Sequence, residues 1–306
     1  MGEDLWQELY GDYELYGIDV QRAQRTEYRE QRYNPCDITD RKAVKKLIGK
    51  IKPDVVIHAA AWTDVDGCER DPKKACRVNG EGTKNVAEAC KGSGAALIYI
   101  STDFVFDGKK RRPYKESDRP HPISAYGYSK LKGEEAVRKT LKKYFIIRTS
   151  WLYGKHGKNF VDTIIAKAKS GDPLRIVDDQ VGSPTYTKDL AKAIHKLLRK
   201  LFTSYELVRS EAEPPRKGLV TSYGIYHISN LGSVSWYEYT KEILKLAGCP
   251  TKVIAISSKK LDRPARRPAM SVLDNSKFEK FTGFKMRHWK SSLKCYLIKE
   301  RQRTTC

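Results

Sequence analysis

Apolar residues recur along this chain in two alternating rhythms. Leu5, Trp6 and Leu9 fall on one face of a short helix, and after Gly11-Asp12 the run 13–20 reads as a strand with the acid Asp19 near its end. Arg41–Ile51 has helical spacing behind the cap-like Asp37 and Thr39, and 54–60 is an apolar run of strand length. Helix 79–92, strand 95–101, helix 124–144 and strand 145–149 continue the order. Such βαβα repetition predicts an α/β fold over 1–150, a doubly wound parallel sheet with helices on both faces. Past Trp151 the rhythm loosens into helix 159–170, a loop around 178–185 and helix 188–200. A polar stretch, 210–217 with Pro214-Pro215, reads as an exposed insertion. Segments 235–248, 253–257, 275–283 and 289–297 read as mostly helical, so 151–306 is expected to form a smaller second domain, some of its segments returning to the first sheet.

Composition narrows the function classes. The 306 residues, 40% of them hydrophobic, can bury a full core, and the longest apolar runs fall far short of the roughly 18 residues a membrane helix requires. Seven cysteines without a Cys-x-x-Cys pair suit a reducing compartment, the cytoplasm, better than a disulfide frame or a metal site. A net charge of +22 raises the question of nucleic acid, the more so because 256–306 holds 14 Lys/Arg against 4 Asp/Glu. Yet those cations are interleaved with apolar residues at helical spacing, as in 278–289, which describes solvated helix faces over a packed side. The surface is therefore expected to attract a phosphate-bearing substrate, and nucleic acid is not expected.

Candidate chemistry concentrates between Ile100 and Lys130. Ile100-Ser-Thr-Asp-Phe-Val-Phe-Asp-Gly108 puts small hydroxyls at the carboxyl end of a strand, where open α/β sheets bind ligands. In Ala125-Tyr-Gly-Tyr-Ser-Lys130, Tyr126 and Lys130 are four apart on one helix face. An ammonium beside a phenol stabilises the phenolate and lowers its pKa from about 10, so the tyrosine can exchange protons near neutrality. Thr102 is placed to hold a carbonyl oxygen while Tyr126 protonates it. Tyr128 faces elsewhere and reads as packing, and His58 as a structural strand-end residue.

Taken together, STDFVFDG, PYKESDRPHPISAYGYSKLKGE, IIRTSWLYG and VDDQVGSPTYT resemble the extended short-chain dehydrogenases/reductases, and within them the dTDP-4-dehydrorhamnose reductases. The resemblance begins at PDVVIHAAAWTDVDGCERDPKKACRVNGEGTKNVAEAC and runs to RPARRPAMSVLDNSKF, nearly the whole chain. It implies a Rossmann-type domain using NADP or NAD, and reduction of a nucleotide-linked 4-keto-6-deoxysugar. Thr102, Tyr126 and Lys130 match the family's catalytic trio, and Lys130 also a nicotinamide-ribose contact. On the cofactor side the matches are Gly2, Asp19, Arg22, Asp37, Ile38, Ala59, Ala60 and Ala61; Asp19 favours NAD and Arg22 a 2′-phosphate. On the substrate side they are Thr63, Val65, Asp103, Trp151, Asn159, Gln180 and Arg267. No metal is implied, and a monomer or homodimer is expected.

The family begins with a buried strand and a G-x-x-G-x-x-G turn that cradles the pyrophosphate, and of this turn only Gly2 is present. Met1 is therefore expected to be an internal methionine of a longer reading frame, with cofactor binding weakened in this chain. A second reading remains: a binding protein similar to the regulatory subunit of methionine adenosyltransferase, which shares the fold.

Overall fold

The computed structural model describes residues 1–20, 33–209 and 223–301. Helix α1 (Gly2–Leu9) leads to strand β1 (Gly17–Asp19), which pairs in parallel with β2 (Tyr33–Pro35). The expected strand 13–20 is shortened to Gly17–Asp19, and Tyr13 ahead of it packs its ring 5.8 Å from that of His195 and 5.5 Å from that of Phe202. Helix α2 (Arg41–Ile51) is capped by Asp40, which accepts from the amides of Lys42 and Ala43, rather than by Asp37 or Thr39. Strand β3 (Val55–His58) follows, then the short helices α3 (Val65–Arg70) and α4 (Pro72–Ala75) and a π-helical turn (Cys76–Glu81) that runs into α5 (Gly82–Ser93). The core units of the first half are β4 (Ala96–Thr102), α6 (Ala125–Thr140) and β5 (Tyr144–Thr149).

These strands build a four-stranded parallel sheet, completed by a strand from far along the chain. Its order runs from Gly224–His227 through β5 and β4 to β3. Every residue of β4 is buried, as an interior parallel strand demands, whereas Val55, Val56 and Ile57 of β3 are only half-buried. Among the described residues β1 and β2 form a pair separate from this sheet. One apolar core joins the sheet to α1 and to a long helix of the second half through Leu5, Leu9, Ile98, Ile147, Leu190 and Ile194. On the opposite face α2, α5 and α6 cover Leu97, Tyr99 and Ile146.

The second half contains β6 (Leu152–Tyr153), α7 (Phe160–Ala168), β7 (Leu174–Val177), β8 (Val181–Gly182), β9 (Thr185–Tyr186) and α8 (Thr187–Arg209). Then come β10 (Gly224–His227), β11 (Val234–Ser235), α9 (Trp236–Ala247), β12 (Val253–Ile256), α10 (Ser276–Thr282) and α11 (Trp289–Arg301). The segment read as helical at 253–257 is a strand: its β-branched run pairs in parallel with β7. Helices α7, α9 and α11 enclose an aromatic core of Tyr153, Tyr186, Tyr239, Trp289 and Tyr296. Segment 210–217 and Arg22 lie outside the described residues.

Candidate active site

The carboxyl ends of β3, β4 and β5 open into a cleft of about 1690 Å³, bounded on its far side by α7, β7 and the 258–268 loop. Its size exceeds the roughly 300–1,000 Å³ of a pocket for one small ligand, so two extended ligands have room side by side. Thr102 ends β4, and Tyr126 and Lys130 project from the first turns of α6, whose N-cap Ser124 accepts from the Gly127 amide. Gly127 is required there: a Cβ would stand 2.1 Å from the Phe104 carbonyl oxygen. That approach holds α6 against the segment following β4 and sets the Tyr126 hydroxyl near Thr102, close enough for the threonine to favour the phenolate.

The electrostatics differ from the simple expectation. Burial pushes the Tyr126 phenol well up, with the Thr102 hydrogen bond acting the other way. The Lys130 ammonium donates 2.8 Å to the Ile100 carbonyl and lies 4.3 Å over the Tyr99 ring, so it is not bonded to the phenol as the spacing implied. Burial pulls that ammonium down to about 7, and Glu134 opposes the shift. His58 is structural, as expected: its Nε2 meets Thr83 Oγ1 at 3.0 Å, and burial, then Lys130, hold it near 3. Asp103 is 2% exposed with Oδ1 3.1 Å from Thr102 Oγ1, and burial pushes its carboxyl up to about 7. Tyr128 is not packing; it is 48% exposed beside Lys132.

Most of the expected residues meet in this one cleft. Ala59, Ala61, Thr63, Val65, Thr102, Asp103, Tyr126, Lys130, Trp151, Asn159, Gln180 and Arg267 all line it, and Met1 at the head of α1 borders it. Gly2, Asp19, Asp37, Ile38 and Ala60 are not among the lining residues. Asp37 is instead a turn acceptor for the Thr39 amide, and Ile38 packs on Gly82 of α5. Asn159 doubles as the N-cap of α7, and Gln180 is tied to Ser258 at 2.7 Å. Arg267 is held by Asp66 at 2.8 Å, which leaves Arg263 and Arg266 beside it as further cations of the cleft.

Sequence reasoning did not find Trp236. Its ring stacks on Trp151 with centroids 3.5 Å apart and planes 5° from parallel, with Phe160 packed alongside at 4.3 Å. Trp151 adopts φ +48°, a conformation non-glycine residues rarely take, and Gly182 makes room for its ring. The two indoles come from β5's end and α9's start, 85 positions apart, and no local pattern marks the pair.

The site has counterparts of known kind. The family model described as "RmlD substrate binding domain" matches residues 2–302. The spore coat polysaccharide biosynthesis protein SpsK of Bacillus subtilis is 41% identical, covering 85% of this chain and 84% of its own. The dTDP-4-dehydrorhamnose reductase of Streptomyces griseus is 39% identical over 84% and 80%. Among solved structures, a dTDP-4-dehydrorhamnose reductase from Clostridium acetobutylicum superposes with TM-score 0.81 at 37% identity, covering 98% and 95% of the two chains. The Bacillus anthracis dTDP-4-dehydrorhamnose reductase, solved in complex with NADP, gives TM-score 0.78 at 35% identity, over 93% and 100%. With its α/β architecture, its cleft at the strand ends and a match over nearly its whole length, this chain belongs to the RmlD substrate-binding domain family.

Proposed function

We propose that this protein is an NADPH- or NADH-dependent reductase that converts dTDP-4-dehydrorhamnose to dTDP-rhamnose in nucleotide-sugar synthesis. The observation that carries the reading is the meeting of Thr102, Tyr126 and a fully buried Lys130 at the floor of a cleft ringed by arginines. The residues suit a dinucleotide at one end: Ala59 and Ala61 leave a smooth wall, and the buried Lys130 ammonium, now spent on a backbone carbonyl, can donate to a ribose hydroxyl. The bound nicotinamide supplies the hydride.

The chain's own groups do the rest. The Tyr126 hydroxyl lies near Thr102, and a sugar C4 oxygen beside them accepts a hydrogen bond from Tyr126 and a second from Thr102 once its hydroxyl turns from Asp103 Oδ1. Tyr126 then gives its proton to that oxygen as negative charge develops, and the Lys130 ammonium on the same helix face stabilises the phenolate left behind. Trp151 and Trp236 give the sugar's methyl-bearing side an apolar wall. Arg263 and Arg266 balance the diphosphate, with Arg267 fixed in place by Asp66. The regulatory-subunit reading has no use for this proton-donating set. We further place the protein in the cytoplasm as a monomer or homodimer; no helix among the described residues is long and apolar enough to cross a membrane.

The test is turnover of dTDP-4-dehydrorhamnose with NADPH and, separately, NADH, followed at 340 nm with product identification. Formation of dTDP-rhamnose with either cofactor supports the reading. Tight binding of the nucleotide sugar without turnover under either cofactor contradicts it.

A further inference from the structure

Behind the catalytic helix lies a buried ion pair that the proposed chemistry does not touch. Arg148 on β5 donates from Nε and Nη2 to the two carboxylate oxygens of Glu134 at 2.9 and 2.7 Å, both side chains being 1% exposed. Ser101 Oγ, on β4, donates to the same carboxylate at 2.6 Å. Burying two charges costs several kcal/mol per ion, and apolar residues of similar volume often serve stability as well or better. Stability alone is therefore a weak reason for the pair, and its location supplies another. Ser101 immediately precedes Thr102, Arg148 lies three residues before Trp151, and Glu134 continues the helix face of Tyr126 and Lys130 by one more turn.

We propose that Glu134, clamped by Arg148 and Ser101, is a positioning residue that registers α6 against β4 and β5 and keeps the Lys130 ammonium charged. This rests on the reading of Tyr126 and Lys130 given above. The groups facing Lys130 are His58 from β3, the Tyr99 ring from β4, Glu134 from its own helix and, behind Glu134, Arg148 from β5, while Tyr126 lies one turn back on that helix. From α5, Thr83 presents a hydroxyl to His58. Of these Glu134 alone carries a negative charge, and His58 is held neutral. Removing the Glu134 charge takes away the support and leaves Arg148 uncompensated nearby, so both effects drive the ammonium towards its neutral form. The Ser101 hydrogen bond acts differently: it fixes geometry and contributes no charge.

Two variants separate these roles, Glu134→Gln and Ser101→Ala, with folding checked by thermal melts. Lys130 is titrated directly by NMR of protein labelled at lysine Cε, its signal assigned by comparison with Lys130→Met, and no turnover is needed for this reading. In Glu134→Gln the Lys130 midpoint should fall by about one pH unit or more, and the alkaline limb of kcat should move down with it. In Ser101→Ala the midpoint should stay in place while kcat drops about tenfold or more, because the Thr102 to Tyr126 geometry loosens. An unchanged Lys130 midpoint in folded Glu134→Gln, or wild-type kcat in Ser101→Ala, overturns the proposal. If Glu134→Gln does not fold, the kcat of Ser101→Ala decides by itself. A fully active Tyr126→Phe would defeat the underlying reading of the site, whereas an inactive Tyr126→Phe with an unshifted Glu134→Gln would defeat this inference alone.

Discussion

Replacing Asp103 by Asn removes a carboxyl that the fold keeps protonated, and the consequence for stability can be worked out with its sign. Asp103 is 2% exposed; Oδ1 receives the Thr102 hydroxyl, and Oδ2 has no hydrogen-bond partner among the described residues. Burial raises its pKa from 3.8 to about 7, with the nearby Ser271 and Thr102 hydroxyls recovering part of the cost of ionisation. Below about pH 4 the carboxyl is protonated in both folded and unfolded chains, and it adds no pH dependence. Between there and about 7 the unfolded chain releases a proton that the folded chain retains, so stability falls as pH rises. Above about 7 both states are ionised and the loss is complete. At 1.36 kcal/mol per unit, a rise of roughly three units sets an upper limit of about 4 kcal/mol. Asn cannot ionise, so Asp103→Asn should gain stability relative to wild type as pH rises from 4 to 8. Urea unfolding at pH 4, 6 and 8 measures this as a difference that grows by a few kcal/mol at most. A difference that stays constant across the range would show that Asp103 ionises normally in the folded protein and refute the reasoning.

Tyr126→Phe should lower kcat by about 10²-fold or more, the scale of a lost general acid, with cofactor affinity nearly unchanged in a fluorescence titration. Trp151→Ala should raise KM for the sugar nucleotide far more than KM for NADPH, since the indole belongs to the wall shared with Trp236; equal losses for both ligands would count against that placement. Gly182→Ala puts a Cβ within 2.4 Å of the Trp151 ring and should mimic Trp151→Ala in steady-state kinetics, because the ring must shift from its stacked position.

Much of this organisation was legible in the chain, for identifiable reasons. Helices α2, α5 and α9 carry clear 3.6-residue periodicity, and β4 is a continuous apolar run, so local pattern sufficed. Thr102, Tyr126 and Lys130 lie within 29 positions in a recognisable strand–helix setting. The strand at Val253–Ile256 was missed because four apolar residues fit either period, and only the pairing with β7 decides. The Trp151–Trp236 stack and the grouping of Arg263 and Arg266 with Thr102, Tyr126 and Lys130 are tertiary, assembled from distant segments. The state of Lys130 was misjudged for a related reason: helical spacing places it near Tyr126, but burial and the Ile100 carbonyl determine where its ammonium points.

The central claim is that this cleft delivers hydride to a sugar carbonyl while Tyr126 protonates the oxygen. Incubation of the protein with dTDP-4-dehydrorhamnose and NADPH carrying deuterium at nicotinamide C4, followed by mass and NMR analysis of the sugar, tests it most directly. The account predicts one deuterium at C4 of dTDP-rhamnose from one of the two labelled faces, and about 10²-fold slower labelling with Tyr126→Phe. A product without label at C4, or labelling unaffected by Tyr126→Phe, would contradict it.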